Sequence, residues 1–158
     1  MLSGKIYPTA VISPRTDLIM NKDTFIGDFC LIACSRLTML RGSQINAHSI
    51  VEGRGNVLIG EDAVVGYNVL LLTSTDSPQA EKMNDASPES KRKIITADIE
   101  IRDDAYIGSH TIIMPGVVVG RGAVVGAFTY LDKSIEPWAI GWGQPFEVKR
   151  KREIVKRD

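Results

Sequence analysis

The amino-acid sequence predicts an all-β solenoid, a chain that coils as a triangular prism with one six-residue side per strand. Two observations carry this. From Ile101 to Leu131 an aliphatic residue returns at every sixth position: Ile101, Ile107, Ile113, Val119, Val125 and Leu131. Four residues after each of the first five stands a second, mostly small residue: Ala105, Thr111, Val117, Ala123 or Thr129. A helix repeats near 3.6 residues and a half-buried strand near 2, so a sustained period of six is an internal repeat. The aliphatic fills the prism and the small residue fits its corner. Glycines such as Gly108, Gly120 and Gly126 follow the aliphatics, where the backbone must bend or let another molecule approach closely.

The repeat starts almost at the N-terminus. Ile6, Ile12 and Leu18 lead rungs, with Pro8 and Pro14 at edge or corner positions that tolerate a missing N–H. The register slips by two between Leu18 and Ile26, resumes at Ile32, and blurs over residues 35–44, which read as coils with small outward bulges. Ile45 and Val51 restore it; after another two-residue slip over residues 53–56, Ile59, Val65 and Leu71 complete a coil. After Leu72 the repeat stops, to resume at Ile101. The excursion, about residues 73–98, is rich in Ser, Asp, Pro and Lys. A loop this long in a compact domain is either functional or a mobile surface insertion. Past Leu131, Pro137, Gly141, Gly143 and Pro145 punctuate the end of the solenoid and a tail over about residues 136–158.

At 158 residues the chain reads as one domain, 1–158, whose length sets the number of rungs. Lys plus Arg and Asp plus Glu number 19 each, so no global field draws the chain to nucleic acid or to a membrane surface. Cys30 and Cys34 fall inside rungs and read as reduced and buried. As a Cys-x3-Cys metal pair they would lack ligands, since His48 and His110 are the only histidines. No apolar run approaches the roughly 18 residues of a membrane span, and the N-terminus lacks the features of a targeting peptide, so a cytoplasmic location is expected.

The segment IGSHTIIMPGVVVGRGAVVGA, residues 107–127, resembles the hexapeptide-repeat acyltransferases. It is similar to the galactoside, maltose and xenobiotic O-acetyltransferases and to acetyltransferases of polysaccharide biosynthesis. The resemblance implies a left-handed parallel β-helix and a homotrimer with acetyl-CoA, or a related acyl-CoA, bound between subunits. It implies transfer of the acyl group to a hydroxyl or amino group of a sugar or nucleotide sugar, with no metal. A reading from another class is a non-catalytic hexapeptide protein that binds a ligand or scaffolds a partner. The zinc carbonic anhydrases of this fold need three histidine ligands per site, against two histidines in this chain.

Acyl transfer from a thioester needs a base, donors for the oxyanion and a groove for the thiol carrier. In the galactoside and xenobiotic enzymes the base is a histidine seventeen residues after the Ile of an Ile-Gly pair. Counted from Ile59-Gly60, that position is Asp76. An ordinary solvated carboxylate, with a pKa of about 3.9, is a feeble base toward a hydroxyl, and better suited to an amine acceptor. Asp76 in Thr-Asp-Ser-Pro also suits an Asx-type turn. Asn46 falls on the asparagine that galactoside acetyltransferases use near the acceptor. His48, two residues on, shares its face on a strand, so that the two would line the acceptor pocket, with His48 read either as a substitute base or as a satisfied surface histidine. By the same resemblance His110 lines the groove, and the amides of Gly108, Ser109, Gly126 and Ala127 contact CoA. Trp142 and Trp138 either stack on the acyl group or adenine or cap the last coil. The Gly143-Gln144-Pro145 turn resembles the family's closing segment, which implies that the basic segment after it packs back; that segment is either a solvated terminus or one in which Lys149 and Lys151 meet the CoA phosphates.

Overall fold

A computed structural model describes residues 4–154. The chain winds through about seven turns of a three-sided parallel β-helix, left-handed as the hexapeptide motif implies. The first face stacks seven parallel strands in the order Lys5–Ile6, Phe25–Ile26, Gln44–Ile45, Val64–Val65, Tyr106–Ile107, Val124–Val125 and Ala139–Trp142. The second stacks Val11–Ile12, Leu31–Ala33, Ile50–Glu52, Leu70–Leu72, Ile112–Ile113 and Tyr130–Leu131. The third stacks Asp17–Met20, Arg36–Met39, Asn56–Ile59, Ile99–Ile101 and Val118–Val119.

Strict parallel register puts like residues on like, because each strand exchanges hydrogen bonds with the strand one coil away. Ile26, Ile45, Val65, Ile107 and Val125 form one fully buried pillar. Ile32, Val51, Leu71, Ile113 and Leu131 form a second. The third face carries two: Leu37, Val57 and Ile99, then Met39, Ile59, Ile101 and Val119. This explains the two-residue slips. Third-face strands of the first three coils are four residues long and turn two side chains inward, so the stride of six restarts from the second. The blurred residues 35–44 therefore hold a regular strand, Arg36–Met39, rather than bulges.

Buried small and hydroxyl residues occupy the corners, among them Ser43, Ala63, Ala105 and Ala123, and the hydroxyls of Ser43 and Thr129 bond the carbonyls of Leu40 and Gly126. Cys30 and Cys34 are free thiols buried at corners; burial pushes Cys34 up to about 11. The solenoid runs further than the sequence pattern indicated, since Ala139–Trp142 adds a rung to the first face. After the Gly143-Gln144-Pro145 turn, Glu147–Lys151 returns antiparallel to that rung, which is the packing-back expected of the basic segment. Arg152 fastens this strand by donating to the carbonyls of Asp104 and Gly122 at 2.8 and 3.0 Å.

Candidate functional site

Most of the residues singled out in the sequence fall on two edges of the second face. The first is the corner between the first and second faces. The residue three positions after each first-face pillar, Phe29, His48, Asn68, His110 and Phe128, adopts φ between 54° and 63°. L-residues avoid this region at a cost of roughly 1–2 kcal/mol each. His48 stacks on Phe29 with ring centroids 5.0 Å apart, and His110 on Phe128 at 4.7 Å. The five side chains form one exposed column, and both histidines belong to it. This corrects the strand placement of Asn46 and His48: the first-face strand of their coil is only Gln44–Ile45, so both lie in the turn after it. The Asn46 amide donates to the carbonyl of Val65 at 2.8 Å, in a ladder where the other coils place Gly27, Gly66, Gly108 and Gly126.

Glycine is required in that ladder by close backbone approach. A Cβ on Gly108 would stand 2.5 Å from the Ala127 nitrogen, and one on Gly27 2.7 Å from the Ala47 nitrogen. The amides of Gly108 and Gly126 are spent within the solenoid, on the carbonyls of Val125 and Gly141. Among the described residues the N–H groups of Ser109 and Ala127 have no hydrogen-bond acceptor, which leaves them, rather than the glycines, as donors for a ligand. Trp142 is half exposed at the top of the same corner, against Gly126, with the Lys149 ammonium 6.0 Å over its ring. Lys149 is also paired with Glu147, whereas Lys151 is exposed on the returning strand. Trp138 lies at the opposite corner under the guanidinium of Arg152.

Asp76 lies across the full width of the second face, at its other edge. The excursion leaves there as an antiparallel pair, Ser74–Asp76 with Ile94–Thr96, which puts Arg92 beside Asp76. Arg92 donates from Nε to Oδ1 at 2.9 Å and from Nη2 to Oδ2 at 2.6 Å, and its Nη1 lies 2.7 Å from Asp85. These side chains are shielded, Arg92 being 7% and Asp76 17% exposed. The Arg92 hydrogen bonds hold the Asp76 carboxyl below the usual carboxylate range. It is thus fixed in its ionised form. A second pair, Arg54 with Glu89 at 2.6 Å, holds the excursion down over earlier coils.

Between the excursion and the corner joining the second and third faces lies an open cleft of about 690 Å³. Arg15, Cys34, Glu52, Arg54, Asp76 and Arg92 are among its lining residues. Of these, sequence reasoning singled out Asp76 as a site residue and Cys34 only as a buried thiol. The first-corner column had a visible signal, an aromatic, His or Asn three residues after each first-face aliphatic; the Arg15–Glu52–Arg92 set had none. Among the described residues no group of three or more His, Cys, Asp or Glu side chains converges as a metal site would require. No helix among them is long and apolar enough to cross a membrane.

Residues 98–133 match the bacterial transferase hexapeptide family (six repeats). The chain is 49% identical over 55 residues to a chloramphenicol acetyltransferase of Agrobacterium fabrum, covering 35% of this chain and 26% of that protein. It is 24% identical to a galactoside O-acetyltransferase of Lactococcus lactis over 96% of this chain and 75% of that protein. The bifunctional protein GlmU of Methanococcus vannielii is 30% identical over 96% of this chain and 33% of its own length. The matches therefore span from about a quarter to three quarters of these relatives. Among solved structures, a variant of AntD, an N-acyltransferase from Bacillus cereus, in complex with dTDP and Coenzyme A superposes with a TM-score of 0.85. It is 24% identical over 96% of this chain and 81% of that one. A second AntD variant, with dTDP-4-amino-4,6-dideoxyglucose and Coenzyme A, gives a TM-score of 0.81 at 22% identity, covering 97% and 85%. Both show the likeness of the fold.

Proposed function

We propose that this hexapeptide-repeat chain is a homotrimeric acyltransferase that moves an acetyl or related acyl group from acyl-CoA to a sugar or nucleotide-sugar acceptor in the cytoplasm. The observation that carries the assembly is the outward side of the second face. Val11, Leu31, Ile50, Leu70, Ile112 and Tyr130 follow one another in register over six coils, an apolar column that no other element covers among the described residues. The outward column of the third face, Ile19, Thr38, Leu58, Glu100 and Val118, is broken by a hydroxyl and a carboxylate, and that of the first face by Lys5 and Gln44, so only the second face carries an unbroken apolar column among the described residues. An apolar stripe of this length is a subunit contact.

Three prisms that each turn one face toward a threefold axis meet along their edges. The histidine corner of one subunit then adjoins the excursion cleft of the next, reuniting the two halves that one chain keeps apart. An axis parallel to the prism keeps equal coils level. His48 belongs to the third coil, as do Glu52 and Arg54 in the cleft lining, whereas His110 lies two coils higher. His48 is accordingly the proton acceptor in this reading, and His110 lines the groove for CoA. The unpaired amides of Ser109 and Ala127, with Trp142 and the basic strand bearing Lys149 and Lys151, contact the thioester carrier.

The acceptor nitrogen or oxygen attacks the thioester carbonyl carbon while its proton passes to the imidazole. Collapse of the tetrahedral oxyanion breaks the carbon–sulfur bond, and the imidazolium returns the proton to the leaving thiolate. Asp76, kept ionised by Arg92, cannot serve as a strong base; its charge favours the cationic form of the neighbouring groups and its pairing fixes the cleft wall. That relatives of this fold are named as acetyltransferases, and that AntD is described with Coenzyme A, supports this reading. The alternative, a non-catalytic ligand-binding or scaffold protein, would use the same groove without thiol release.

Mixed subunits test the shared site. Chains carrying Asp76→Asn and chains carrying His48→Ala, each of low activity alone, are unfolded together and reassembled with an acceptor that supports thiol release. Random assembly leaves about a quarter of the interfaces with both halves intact, and activity should recover to that level. Recovery of none would place both residues in one subunit's site and overturn the arrangement.

A further inference from the structure

The basic strand that closes the solenoid, Glu147–Lys151, holds a single acid, and that acid sits on one particular cation. The strand pairs antiparallel with Ala139–Trp142 in a register where Ile140 faces Arg150 and Gly141 faces Val148, so Lys149 is left without a partner. A bulge of this kind re-aims the extra side chain. Here the Lys149 ammonium lies over the Trp142 ring, 6.0 Å from its centre, and on the carboxylate of Glu147. Glu147 is itself the register partner of Trp142. Among the described residues Arg150 and Lys151 have no carboxylate partner, so the acid is local to the tryptophan and does not balance the strand. The Lys149 hydrogen bond holds the Glu147 carboxyl below the usual carboxylate range, which keeps it ionised at neutral pH. Of the two side chains the acid is the more exposed, 64% against 37%, and it is the one free to swing into solvent.

We infer that Glu147 is a built-in competitor of the acyl donor, occupying Lys149 in the free protein and yielding it to the ribose phosphate of CoA. The inference rests on the transferase reading, in which Trp142 and Lys149 contact the carrier. An adenine stacked on Trp142 brings the phosphate of its ribose to the ammonium above the ring. A phosphate monoester carries more charge and more acceptor oxygens than a carboxylate, and an exposed ion pair is worth little, so the phosphate displaces the acid. A donor lacking that phosphate offers Lys149 nothing and leaves the pair closed. Glu147 thereby lowers the affinity for the phosphorylated carrier and not for its dephosphorylated form, which favours release of the spent carrier.

The test is calorimetric titration of the full chain with CoA and with dephospho-CoA at low ionic strength. Glu147→Gln should bind CoA about twofold to fivefold more tightly, the range of an exposed ion pair, and bind dephospho-CoA as the wild type does. Lys149→Met, which keeps the aliphatic stem over the ring, should weaken CoA about tenfold and spare dephospho-CoA. In that background Glu147→Gln should have no effect. Both side chains lie on the surface of the last strand, and an unchanged thermal unfolding midpoint checks that each variant folds. If Glu147→Gln binds CoA no better than the wild type, tightens both ligands equally, or gains as much without Lys149, the inference is overturned, while binding of CoA by the wild type leaves the transferase reading standing. If the wild type fails to bind CoA at millimolar concentration, both fall together.

Discussion

Replacing Leu70 by glutamate strikes the centre of the apolar column, where its side chain lies between Ile50 and Ile112. In the isolated chain this position faces outward and is half-buried, so the solenoid itself loses little. Because Leu70 is already half-buried in the single chain, each subunit of a trimer forfeits only the remaining burial, about 0.5–1.5 kcal/mol, or about 2–4 kcal/mol for three. Each glutamate must also be desolvated or leave a gap, which adds further cost in the same direction. Since about 1.4 kcal/mol is a factor of ten, association should weaken by roughly a hundredfold or more. Sedimentation equilibrium at micromolar concentration should find the wild type as a trimer and Leu70→Glu as a monomer with an unchanged β circular-dichroism spectrum. Thr38→Glu, on the outward side of the third face, should remain trimeric. A trimeric Leu70→Glu, or a monomeric wild type, would refute the assignment of this face.

The remaining predictions concern the two halves of the site. Asp76→Asn should lower kcat by ~10²-fold while leaving the affinity for acetyl-CoA intact, because it alters the acceptor cleft and not the CoA corner; unchanged turnover would remove Asp76 from the mechanism. The Asp76 carboxyl is held low in the folded chain by Arg92, so the pairing is fully present above the ordinary carboxylate range and is lost as pH falls through the lowered value. Pepsin should therefore begin to cut the excursion at a lower pH in the wild type than in Asp76→Asn. Gly108→Ala drives a Cβ to 2.5 Å from the Ala127 nitrogen and should cost about 1–3 kcal/mol in thermal unfolding while also weakening acetyl-CoA binding. Loss of stability without loss of binding would separate the Ala127 amide from the CoA groove.

The clean stride of six from Ile101 to Leu131 was legible because, from Ile101 on, each strand turns a single aliphatic inward. The earlier coils hid their regularity, since their third-face strands place two side chains inward and break the count. Asn46 and His48 were misplaced on a strand because two-residue strands leave too little chain for alternation to be read. The Arg92 clamp on Asp76 spans sixteen positions and depends on the antiparallel pairing of Ser74–Asp76 with Ile94–Thr96, which a polar segment does not announce. Arg15 and Glu52 come into one cleft only because two coils of about twenty residues intervene, and nothing about either residue in the sequence marks it. Residues near one another along the chain were found, and residues joined by coiling were not.

The most direct test of the central claim is a calorimetric titration of the purified chain with acetyl-CoA, with dephospho-CoA as a control. Saturable binding at about one molecule per subunit, weaker for the control, is the predicted result. Absence of binding at millimolar acetyl-CoA would contradict the claim and leave a hexapeptide solenoid whose groove serves a different ligand.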